Sequence, residues 1–78
     1  MKSYALWELQ TNNLIRDFDN EYDALAGALR FIELNGQDSI DNVSLTVEDE
    51  HGEGHLIAYG QELADLARRE LSGEQLAG

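Results

Sequence analysis

The densest run of side chains able to do chemistry is Glu48-Asp49-Glu50-His51-Gly52-Glu53-Gly54-His55. Two histidines four residues apart among carboxylates are the ingredients of a divalent-metal site. That spacing brings both imidazoles to one side only on a helix, and Gly52 and Gly54 interrupt any helix here. The run reads as an exposed hairpin turn, with no metal and no cofactor expected. Nucleophilic catalysis is served no better. Cysteine is absent and both histidines fall in one turn, so neither a Cys/His pair nor a Ser/His/Asp set can be assembled. Paired carboxylates need a cleft to split their pKa values, and a domain of 78 residues rarely offers one. The seven glycines are scattered as turn punctuation and form neither GxGxxG nor a P-loop. No catalytic residue is assigned, and the chain is expected not to be an enzyme.

The elements that would carry these side chains come in two similar units. Residues 4–34 read strand, turn, strand, helix, and residues 40–72 read the same again. In the first strand Tyr4 and Leu6 alternate with Ala5, Trp7 and Leu9, so both faces are apolar and the strand should be central. Thr11-Asn12-Asn13 supplies a turn. The return strand sets Leu14, Arg16 and Phe18 against Ile15 and Asp17. Asn20 is the N-cap expected for the first helix, whose stripe is Tyr22, Leu25, Ala26, Leu29 and Ile32, with Phe31 and Leu34 partly off it. Gly36 should end it in a left-handed conformation, followed by a polar loop.

Val43, Leu45 and Val47 alternate with Ser44, Thr46 and Glu48 as a half-buried strand. His55 to Tyr59 return, and Gly60 opens a helix with Leu63, Ala64, Leu66, Ala67 and Leu71 on its apolar side. Arg68 and Arg69 would then favour its last turn, before Ser72-Gly73 stops it. Setting Phe18 on Tyr59 aligns Leu25 with Leu66 at an offset of 41, while Tyr4 and Leu6 match Val43 and Leu45 at 39. Duplication and coincidence both account for that. Gly27, mid-helix between two alanines, is either a tolerated weak point or a site of close backbone approach.

The predicted fold is α+β: a two-layer ββαββα sandwich, with a four-stranded mainly antiparallel sheet and two helices on one face. Residues 1–73 form one domain and residues 74–78 a frayed tail. The stretch Leu14 to Leu25, with its F-D-x-E-x-x-A-L helix entry at Phe18 and closure at Asn35-Gly36, resembles short bacterial ββαββα proteins of this size. It also resembles the hairpin-helix half of HicB-type antitoxins. The resemblance covers about the first half of the chain and implies the fold. HicB proteins usually add a DNA-binding segment, to which nothing in this sequence corresponds.

Charge narrows the partners. Sixteen acidic residues against five basic ones give a net charge of −11, and nine carboxylates but no Lys or Arg lie between Phe31 and Ala67. Such a field repels nucleic acid and anionic membranes. Met1-Lys2-Ser3-Tyr4 leads into a strand without the apolar segment of a secretory signal, so a cytoplasmic bacterial-type protein is expected. The function expected is that of a small protein–protein interaction module, homodimeric through the uncovered sheet face or the helix edges. Tyr4, Trp7, Phe31 and Leu34 are the candidate interface residues. The alternative is an acidic inhibitor or antitoxin-like protein masking a basic, nucleic-acid-binding partner.

Overall fold

The computed structural model describes residues 2–77, with side chains described through residue 72. Their order is β1 (Ser3–Glu8), β2 (Asn13–Phe18), α1 (Glu21–Asn35), a 3₁₀ turn (Gln37–Asn42), β3 (Val43–Glu48), β4 (Gly54–Tyr59) and α2 (Gly60–Ala77). The sheet is antiparallel throughout, in the order β2-β1-β3-β4. The strand that is apolar on both sides is thus central, as its pattern requires. Both helices pack against each other and cover one face of the sheet.

Each helix is positioned by a local device. Asn20 is the N-cap of α1: its Oδ1 accepts the Asp23 backbone N–H at 2.8 Å, and its Nδ2 donates to the Asp23 carboxylate. At the other end the Gly36 N–H donates to Ile32 O at 2.7 Å. Gly36 has φ 96 and ψ 159, so its φ is positive as expected, but ψ is extended instead of left-handed helical. Only glycine adopts that combination readily, and it sends the chain straight into the 3₁₀ turn. The expected polar loop is this turn, and it has an apolar anchor: Ile40 is fully buried. Gln61 and Arg68 tie the turn to α2, because Gln37 donates to Gln61, Gln61 donates to Asp41, and Arg68 donates to Gln37.

The core lies between the sheet and the helices. Leu6, Val43, Leu45 and Ala58 rise from the strands to meet Ala24, Leu25 and Ala28 of α1 and Leu63, Ala64 and Ala67 of α2. The buried line of α1 is rotated from the expected stripe, since small residues at 24 and 28 let α2 approach closely. Tyr22 is left 52% exposed, and Leu29 and Ile32 are only half-buried. Gly27 has the close approach allowed for it. A Cβ there would lie 2.5 Å from Cζ of Phe18. Helix α2 runs on to Ala77 instead of stopping at Ser72-Gly73, so Arg68 and Arg69 lie in its interior and not its last turn. Of the tail expected to fray, residues 74–77 are helical in backbone, while Gly78 lies outside the described residues.

Two β-bulges shape the sheet. Leu6 pairs with Arg16 but Trp7 with Leu14, leaving Ile15 as an extra residue. Leu45 pairs with Ala58 but Thr46 with Leu56, leaving Ile57 as its counterpart. A pseudo-twofold axis normal to the sheet relates the halves, and it passes between the paired residues Leu6 and Leu45. The buried triplet Ala24, Leu25, Ala28 recurs as Leu63, Ala64, Ala67, an offset of 39 and not 41.

Candidate functional site

No helix among the described residues is long and apolar enough to cross a membrane. The open face of the sheet is built by the alternation of each strand, reset by the bulges. Because Ile15 is inserted, Leu14 leaves the face of Arg16 and Phe18 and joins that of Trp7. One cross-strand row therefore reads Leu14, Trp7, Ser44, Tyr59, and the next reads Asp17, Ala5, Thr46, Leu56. Leu56 is 59% exposed and Tyr59 53%, while Ser44 between Trp7 and Tyr59 is only 5% exposed. Trp7 lies half-buried, its indole N–H donating to Thr46 Oγ1 at 3.2 Å. That bond satisfies the ring's one polar group within the sheet and leaves its apolar surface in the face.

The four residues expected at an interface do not share a surface. Trp7 is on the open face. Tyr4 pairs with Phe18 and Val47 on the helix-covered side, half-buried against the core. Phe31 and Leu34 line a groove of about 390 Å³ between α1 and β2, with Ile15, Phe18, Arg16 and Arg30. Leu34 is 71% exposed there. Leu14, Leu56 and Tyr59 were not foreseen as surface residues. The bulge hides Leu14 from an alternation argument, whereas the exposure of Leu56 and Tyr59 follows once β4 is known to be an edge strand.

The polar turn after β3 gathers three donor groups. The side-chain ligand atoms of Asp49, Glu53 and His55 all lie within 4.8 Å of one another, and His51 is outside the set. Asp49 closes the turn: its Oδ1 accepts the backbone N–H groups of His51 at 2.9 Å and Glu53 at 3.0 Å. The Glu53 N–H bond, aided by that of His51 and by His55, holds the Asp49 carboxyl below its ordinary pKa of 3.8, although partial burial opposes the shift. His55 Nε2 stands 3.7 Å from Asp49 Oδ2. The cluster is thus built as a turn latch whose anion is already spent on the backbone.

The acidic residues are spread out. Glu33, Asp38 and Asp41 fall at the end of the sheet where β3 begins, and Glu48, Asp49, Glu50 and Glu53 at the end where it finishes.

Neither family models, curated proteins nor solved structures contain a match to this chain, so the functional reading rests on its own geometry.

Proposed function

We propose that this protein is a non-enzymatic interaction module that forms a homodimer through the open face of its sheet. The observation that carries the proposal is the row Leu14, Trp7, Ser44, Tyr59 with Leu56 beside it: aromatic and aliphatic side chains on a face that neither helix covers. Aromatic residues around a desolvated centre are the usual anchors of an interface. An exposed apolar patch of this kind marks association more often than it is left to water.

Size limits the affinity. Four strands about 4.8 Å apart and six residues long give a face of roughly 19 by 20 Å. Stable dimers bury about 800 Å² from each partner, so a face of roughly 380 Å² falls below that class and makes a weak dimer. Association in the micromolar range is expected. Sedimentation equilibrium should give an apparent mass that rises from 8.7 kDa with concentration. Leu56→Glu, which adds charge at an exposed position without touching the core, should hold the protein at the monomer mass. A wild-type mass of 8.7 kDa at every concentration to the millimolar range would refute the proposal.

A further inference from the structure

The groove between α1 and β2 holds two of the chain's basic residues and no carboxylate. Only five basic residues face sixteen acidic ones, yet Arg16 and Arg30, both at this groove, have no ion pair or hydrogen bond among the described residues. Arg16 stacks over Phe18, 5.7 Å from the ring centroid. Arg68, by contrast, is engaged with Gln37. Two cations left unpaired in a chain with threefold more anions are an available counter-charge for something else.

The pseudo-twofold supplies an internal comparison. The equivalent groove, between β4 and α2, is lined by Glu62, Asp65, Arg68 and Arg69, and Leu66 stands in its wall. Offset by 39, Asp65 matches Ala26, Leu66 matches Gly27 and Arg69 matches Arg30, while Glu62 matches Asp23, which does not line the groove. The first groove is therefore stripped of carboxylates and of one large side chain, and it is floored by apolar residues. Alongside it runs β2, a sheet edge whose outer backbone groups have no strand partner.

We infer that this groove binds an extended segment of a partner protein, added as a strand to the β2 edge, which places apolar side chains between Phe18, Phe31 and Leu34 and carboxylates on Arg16 and Arg30. The inference rests on the reading of the protein as an interaction module, but uses a different surface from the dimer. Main-chain pairing to an edge supplies affinity, and alternate side chains entering a groove supply selectivity. The net charge of −11 repels a run of acids at long range, so the segment carries isolated carboxylates flanking apolar anchors.

The test is fluorescence anisotropy with a labelled octapeptide bearing Glu, Leu, Phe and Glu at alternate positions and Ser between them. Saturable binding in the micromolar range is expected, with at least a tenfold loss when both Glu are replaced by Lys. Arg16→Gln together with Arg30→Gln should cost tenfold or more. Leu34→Glu, at a position too exposed to unfold the domain, should do the same, while Leu56→Glu on the open face should leave binding unchanged. Amide shifts on titration should centre on β2 and α1. Equal binding of the Glu and Lys peptides, no saturation below the millimolar range, or shifts centred on β4 would each overturn the inference. A protein that dimerises but ignores the peptide refutes the groove alone; one that neither dimerises nor binds refutes the module as well.

Discussion

Gly27→Ala sets two calculable effects against each other. In the interior of an exposed helix, alanine in place of glycine stabilises by about 1 kcal/mol. Here the new Cβ would stand 2.5 Å from Cζ of Phe18, 3.0 Å from Cε1 and 3.4 Å from Cε2, against an ordinary contact of about 3.5–4.0 Å. The ring must withdraw by about 1 Å, and it is held by Arg16 stacked over it and by pairing of its backbone with Tyr4. Overpacking of this kind costs about 1–3 kcal/mol. The net expectation is a loss centred on about 1 kcal/mol, or a fall in Tm of roughly 4–8 °C for a domain of this size. Urea denaturation followed by far-ultraviolet circular dichroism and by Trp7 fluorescence would measure it. In a Phe18→Leu background the shorter side chain leaves room, and the same substitution should stabilise by about 1 kcal/mol. A double-mutant cycle should therefore return a coupling energy of about 1–3 kcal/mol. Stabilisation by the full helix increment in the wild-type background would show that the ring yields freely, and would refute the argument.

Other perturbations follow from burial and charge. Leu25→Ala should cost about 2–5 kcal/mol, a large fraction of the total stability, while half-buried Leu29→Ala should cost only about 1–2 kcal/mol; equal midpoints for the two would contradict the observed helix phase. The Asp49 carboxyl has a lowered folded pKa, so its contribution to the turn is complete above the ordinary 3.8 and is lost as pH falls through the folded value. Carboxyl NMR should find Asp49 titrating below the ordinary 3.8, and Asp49→Asn should remove the acid-side loosening of residues 49–55. Added salt should raise the denaturation midpoint by screening repulsion within a chain of charge −11, and purified protein should not retard short duplex DNA or RNA. An unchanged midpoint in salt would mean that the separated clusters already act independently.

The period of the strands, the Asn20 cap and the glycine after α1 were legible because each is a local preference with one dominant physical cause. What could not be read is what depends on another element. The rotation of α1 toward Ala24 and Ala28 is set by how closely α2 can approach, so large side chains such as Tyr22 were wrongly favoured as core. Ile40, a single apolar residue in a polar stretch, has no periodicity to announce it, and only the turn geometry buries it. The bulges at Ile15 and Ile57 each insert one residue and reverse the alternation beyond them, which moves Leu14 to the open face. For the same reason the interface residues chosen from hydrophobicity alone divide among three surroundings. The groove arginines carry no sequence signal beyond their scarcity, since what makes them notable is the want of a nearby anion.

The twofold through Leu6 and Leu45 also has a consequence for the order of folding. Within each half, hairpin and helix join residues close in sequence, and their formation closes short loops. Pairing Leu6 with Leu45 closes a loop of 39 residues, for which the entropy of closure is larger and is recovered only when the axis strands and both helices meet. Each half alone presents a two-stranded ribbon, which is marginal in water. Joining of the halves is therefore the expected barrier to folding: substitutions at the axis should slow folding more than those at the outer strands, which should mainly speed unfolding.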